Sequence, residues 1–154
     1  MSYSPRVLDH LVHLSAPGTL PTTVAHFEAL GFVVLPGGNH TSGLSGNALV
    51  VLPSGTYLEL FQFLHAPEHY PLNSPERRER EAHWWAHKVP GWMDWALLGV
   101  PRAELSEVYD APQPGGRTRP DGQRVEWRTT FPHAKFTRGT VPFYCDVNTR
   151  PLSP

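Results

Sequence analysis

Hydrophobic and polar positions alternate with a period of two through Arg6–Leu14, where Leu8, His10, Val12 and Leu14 share one face. That pattern predicts a β-strand. The period then changes. Val24, Phe27 and Leu30 recur at helical spacing after Pro21, which suits a first helical position, and Gly31 suits the stop. Phe32–Leu35 reads as a short strand ended by Pro36-Gly37-Gly38, and a polar, glycine-rich loop runs from Asn39 to Gly46. Asn47–Leu52 and Thr56–Phe63 read as strands joined by the tight turn Pro53-Ser54-Gly55.

A helix over Glu76–Lys88 follows, with Ser74 as N-cap, Pro75 at its first position, and Glu76 four residues before Arg80. Val89-Pro90-Gly91 ends it. Beyond it come a strand over Gly91–Gly99, a short helix from Pro101 through Leu105 and Val108, and a Pro/Gly-rich stretch from Ala111 to Gly122. Gln123–Phe131 and Val141–Val147 read as strands, and one more falls within Gly115–Arg119. The order strand, helix, strand, strand, strand thus occurs twice. The expectation is an α+β fold: a single domain over 1–154 of two βαβββ modules, about 6–64 and about 91–148, with a connector helix at about 74–89.

Composition narrows the function classes. A chain of 154 residues is long enough to bury a core, and a formal net charge of −1 gives no general attraction to nucleic acid or an anionic membrane. Cys145 is the only cysteine, so no intrachain disulfide is expected. Met1–Pro5 lacks the features of a secretory leader, no apolar run reaches the roughly 20 residues of a bilayer span, and a cytoplasmic location is expected. Nine histidines direct attention to metal binding and proton transfer.

His10 and Glu59 stand out because each sits mid-strand in an apolar run, where a polar group is either paired or functional. Imidazole plus carboxylate suits zinc, iron, manganese, cobalt or nickel; a buried His–Glu hydrogen bond, or a solvent-facing Glu59, is the plainer alternative. His13 falls on the face opposite His10. His83 and His87 stand four apart on the connector helix, but Trp84 occupies the place of the glutamate in a helical zinc-protease motif. Trp84, Trp85, Trp92, Trp95 and Trp127 are core residues or the walls of a flat-ligand pocket. Cys145 has no basic neighbour in sequence and reads as an inert thiol. Neither a phosphate-binding glycine loop nor a nucleophile-elbow serine is present, which argues against phosphoryl transfer and serine hydrolysis.

Leu8-Asp9-His10-Leu11-Val12, Phe27-Glu28-Ala29-Leu30-Gly31-Phe32, Asn47-Ala48-Leu49 and Gly55-Thr56-Tyr57-Leu58-Glu59-Leu60 resemble the first module of glyoxalase-like domains. His83-Trp84-Trp85-Ala86, Pro90-Gly91, Asp94-Trp95-Ala96-Leu97, Arg119-Pro120-Asp121-Gly122 and Pro142-Phe143 resemble the same family in the second half. The superfamily is that of the vicinal-oxygen-chelate proteins (glyoxalase, bleomycin resistance, dioxygenase). The resemblance implies a curved mixed sheet forming a cup, with a divalent metal held from the first and fourth strands of each module. Carried onto this chain, the first-module ligands fall on His10 and Glu59, Trp95 stands where a second histidine is expected, and the last ligand falls near Asp146. Tyr144 or Cys145 takes that place if the register slips. Superfamily members often pair modules across a dimer, so a homodimer is an expected arrangement.

Two pocket readings follow, both with a small-molecule partner. In the first, His10, Glu59 and Asp146 hold a metal for lyase, isomerase or dioxygenase chemistry, with His13, Tyr57 and Gln62 carrying or orienting protons and Asn47 lining the pocket. In the second, the protein is metal-free: either a binding and sequestering protein, or an acid–base isomerase using His10 and Glu59, with Trp95 stacked on the ligand. A structural domain without a pocket is the third reading.

Overall fold

The computed structural model describes residues 7–147. The strand start at Arg6, the reading of Met1–Pro5, the end of the second module at 148 and the domain end at Pro154 lie outside the described residues. β1 (Leu8–Ser15), α1 (Leu20–Ala29), β2 (Leu35–Asn39), β3 (Ser45–Val51) and β4 (Tyr57–Phe63) form the first module. α2 (Pro75–Ala82) connects it to β5 (Gly91–Leu98), β6 (Gln113–Thr118), β7 (Arg124–Thr130) and β8 (Phe143–Val147).

All eight strands join one sheet in the order β2-β3-β4-β1-β5-β8-β7-β6. The modules meet at the antiparallel β1–β5 pair, where His10 lies opposite Ala96 and Val12 opposite Asp94. Outward from this seam each module repeats one scheme: β1 runs parallel to β4, and β5 parallel to β8. The sheet curls until its two edges touch, with His40 bridged to Arg117 and the Thr41 amide donating to the Gly116 carbonyl at 3.0 Å. The result is the expected α+β cup, nearly closed.

Hydrophobic burial separates its two faces. Val12, Leu14, Phe61, Phe63, Met93, Ala96, Phe131 and Phe143 fill the concave side, and Trp85 plugs it from the connector. On the convex side Ala48, Val50 and Leu60 pack beneath Leu20, Val24 and Phe27 of α1. No helix among the described residues is long and apolar enough to cross a membrane.

Several elements depart from the pattern-based expectation. Pro36-Gly37-Gly38 does not end a strand; it is the strand, because β2 is an edge, where proline costs no ladder hydrogen bond. A Cβ on Gly37 would collide with the Asn47 side chain, so the glycine admits Asn47 and Arg117 beneath it. Among the described residues the second module has no α-helix, only a 3-10 turn at Ala103–Leu105. The connector helix stops at Ala82, where His83 turns extended (φ −60°, ψ 136°), ending the expected His83–His87 helical pair. Burial of Trp85, with its indole N–H donating to Asp94 at 2.8 Å, overrides the helical continuation. Within α2 the ion pair is Arg77–Glu81 at 2.7 Å, whereas Arg80 is buried with its guanidinium 3.4 Å above the Phe63 ring.

Phe63 is thus both core and a cation's aromatic face. Phe63→Ala is expected to destabilise the domain by about 3–5 kcal/mol, read as a lower urea midpoint with an unchanged slope.

Candidate active site

The concave face encloses a cavity of about 440 Å³, a volume typical of small-molecule sites. Strand alternation decides what reaches it. On β4, Tyr57, Glu59 and Phe61 line it; on β8, Phe143, Cys145 and Val147 do. On β1 a register shift between Leu8 and His10 lets consecutive Asp9 and His10 both face inward.

Within the cavity His10 is held on several sides. Its Nδ1 pairs with Asp9 Oδ2 at 2.7 Å, and its ring stacks on Tyr57 with centroids 4.6 Å apart. This directs Nε2 towards Glu59, whose Oε2 stands 3.6 Å away. Glu59 Oε1 accepts a 2.7 Å hydrogen bond from Asn47 Nδ2, and Asn47 Oδ1 accepts one of 3.3 Å from Arg117 Nη1. With an acceptor on one side and a donor on the other, the network fixes which way the Asn47 amide points. His40 completes the cluster: Nδ1 shares a 2.8 Å hydrogen bond with Ser45, and Nε2 is buried without a hydrogen-bond partner, 4.0 Å from Glu59 Oε1. Burial holds the His40 pKa below the usual histidine value; Glu59 opposes that shift and Arg117 adds to it.

Aromatic side chains form much of the remaining wall: Phe143 packs edge-on against His10 with centroids 5.3 Å apart, Phe61 and Trp127 pack against His40 at 5.6 and 5.8 Å, and Trp85 and Phe131 extend the apolar surface. Burial, followed by the charges of Cys145, Asp9 and Glu59, keeps the Tyr57 hydroxyl protonated well above its ordinary range. Burial does the same to the Cys145 thiol, in agreement with an inert cysteine.

Of the residues singled out from sequence, the fold brings His10, Glu59, Asn47 and Tyr57 together at the cavity and turns four others away. His13, an odd number of residues from His10, packs between Phe27 and Trp92 on the convex side. Gln62 likewise lies three from Glu59, and its Oε1 accepts from the Leu20 amide at 2.9 Å to anchor the start of α1. Trp95 donates its indole N–H to the Gly139 carbonyl at 3.2 Å and does not line the cavity. Asp146 sits between Cys145 and Val147, both inward, and therefore faces outward.

The strand register gives the reason. His10 lies opposite Tyr57 in the β1–β4 pair, as Ala96 lies opposite Phe143 in the β5–β8 pair. The second-module counterpart of His10 is therefore Ala96, and that of Glu59 is Cys145, each one residue from the position expected from sequence. Ala96 has no donor atom, and Asp146 faces away. Among the described residues no three His, Cys, Asp or Glu side chains gather closely enough to share an ion, and the Arg117 cation sits beside the carboxylate that would bind it. The donor set does not fit the divalent metal implied by the superfamily. His40 and Arg117, which no sequence pattern marks, and His83, marked only as half of a helical pair, all line the cavity; the signal for Arg117 is a polar residue next to the Gly115-Gly116 pair.

The profile of the glyoxalase-like domain family matches residues 8–154, nearly the whole chain. The chain belongs to the glyoxalase-like domain family. Among solved structures, a hypothetical protein from Staphylococcus aureus superposes with a TM-score of 0.66 at 14% identity, covering 93% of this chain and 59% of its own. This glyoxalase-like chain therefore spans less than two thirds of that protein's length. Methylmalonyl-CoA epimerase from Mycobacterium tuberculosis superposes with a TM-score of 0.56 at 17% identity, covering 98% of this chain and 94% of its own. At these identities the likeness is one of fold. No curated protein sequence matches the chain.

The cavity's third histidine carries a pH dependence. Burial, reinforced by the charges of Arg80, His40 and Arg138, pulls the His83 pKa from 6.5 down to about 3. Its Nδ1 accepts from the Trp85 amide at 3.1 Å, a role only the neutral ring can play. The unfolded chain takes up this proton near pH 6.5, whereas the folded one resists it. Stability is therefore expected to fall as pH drops from about 6.5 towards 3, by about 1.4 kcal/mol per unit from this group. Urea unfolding of His83→Gln between pH 7 and 4.5 is expected to show a slope shallower by about one proton.

Proposed function

We propose that this protein is a metal-independent isomerase that moves a proton on a small carbon acid, between a carbon and a neighbouring oxygen. The observation that carries the reading is the His10–Glu59 pair: two proton-accepting groups 3.6 Å apart in a cavity, one oriented by Asp9 at 2.7 Å. The carboxylate of Glu59 removes a proton from a carbon next to a carbonyl. The electron pair left behind delocalises onto the carbonyl oxygen. The His10–Glu59 pair then delivers the proton to that oxygen, so the substrate becomes its enol with no net gain or loss of atoms or electrons.

Spacing favours this tautomerisation over a two-base inversion at carbon. Inversion places its two bases on opposite sides of the carbon, and a 3.6 Å gap admits no carbon between them. An epimerase of the same fold supports isomerase chemistry in general terms. The second-module positions occupied by Ala96 and Cys145 favour the metal-independent form over a metal-dependent lyase or dioxygenase.

The test follows deuterium uptake from D2O into the acidic C–H of a panel of ketones and 2-oxo acids, by NMR, with protein dialysed against chelator. Exchange that survives chelation and falls about 10²–10⁴-fold in Glu59→Gln is the expected result. Exchange restored only by added metal would overturn the metal-independent mechanism. Panel members that bind without exchanging would make the protein a sequestering one.

A further inference from the structure

Arg117 is 7% exposed and lines the cavity, yet no carboxylate of the described residues lies within ion-pair distance of it. Its one side-chain hydrogen-bond partner there is the neutral amide of Asn47, which uses its other end on Glu59. Asn47 is in effect a spacer. It keeps a guanidinium and a carboxylate from collapsing onto each other, so both remain directed at the cavity. A desolvated cation without a direct counter-ion is costly, and a guanidinium has five donors in a fork that matches a carboxylate.

We propose that Arg117 is the anchor for the carboxylate of the substrate, and that the substrate class is small monoanionic acids with a flat aromatic or apolar body. This deepens the proton-transfer reading above and rests on it only for the fate of the bound molecule. Three observations carry the assignment. First, the cation comes from β6 at the far edge of the sheet and reaches the Glu59 cluster only because the cup closes through the His40–Arg117 bridge. The anchor and the proton-transfer pair are therefore contributed by different modules across one cavity. Second, Arg117 is the one arginine among the described lining residues, and Glu59, Asp9 and Glu79 also stand on the wall; these carboxylates repel a dianion such as a phosphate monoester more strongly than a monoanion held in the guanidinium fork. Third, beyond Arg117 the walls are Trp127, Phe61, Phe131 and Phe143, with Gly115 pressed flat against the Trp127 indole. A planar body stacks there. A 2-oxo acid with an aryl group satisfies all three and presents an acidic C–H between ketone and ring.

Binding tests this separately from turnover. Benzoate, phenylacetate, 3-phenylpropionate and phenylpyruvate, the matching amides, and phenylphosphonate are titrated into wild-type protein by calorimetry and thermal shift. Arg117→Met, Arg117→Lys and Glu59→Gln follow. The expected result is carboxylate binding at least tenfold tighter than the amides or the phosphonate. The preference is expected to disappear in Arg117→Met and to weaken in Arg117→Lys, which keeps the charge but loses the fork, while Glu59→Gln binds carboxylates no more weakly than wild type. Should Arg117→Met fail to fold, the wild-type preference for carboxylate over amide and its decline in Arg117→Lys decide the matter. Equal binding of acids and amides by the wild type, or an undiminished preference in the folded Arg117→Met protein, overturns the anchor. Arg117-dependent binding without proton exchange would leave the anchor standing and overturn the tautomerisation instead.

Discussion

The antiparallel seam between β1 and β5 is the constraint from which the rest of the molecule follows. Its register puts His10 opposite Ala96, and the parallel pairings on either side then fix every inward residue of β4 and β8. Because side chains alternate with a period of two, one residue of slip in this seam would send His10 outward and with it the whole polar cluster. Sheet curvature adds the second condition. Only a closed cup brings Arg117 of the last-paired strand within reach of Asn47 on β3.

Within that frame the two halves have diverged in chemistry while keeping geometry. The first module supplies His10, Asp9, Asn47 and Glu59 at positions where the second supplies mostly carbon and an unreactive thiol. The cavity consequently sets a few buried polar groups among aromatic walls, with Phe143 against His10 and Phe61 and Trp127 against His40. Burial strengthens each remaining electrostatic contact, since less water competes for it.

His10 and Glu59 were legible in the sequence because a polar residue inside an apolar, alternating run has few inexpensive explanations. The same alternation made the second module treacherous. The resemblance sets Trp95 where a second histidine is expected, but pairing partners, which the sequence does not display, set the register at Ala96 and Cys145. His13 and Gln62 were attractive as polar neighbours of the right residues, yet odd spacing put them on the other face. Arg117 was hidden in a Pro/Gly-rich stretch whose strand character comes from pairing with β7 rather than from its own side chains. The connector helix was overdrawn because Trp85 and His83 obey cavity packing instead of helical spacing.

The two sheet edges meet through the His40–Arg117 bridge, one backbone hydrogen bond from Thr41, and the Arg117–Asn47 side-chain bond just inside them. Glu59 stands on β4 of the first module and Arg117 on β6 of the second, so a molecule spanning the two would tie the modules together across the edge contact. By linkage, a ligand that binds only the closed ring would stabilise that closure by the same free energy that closure lends its binding.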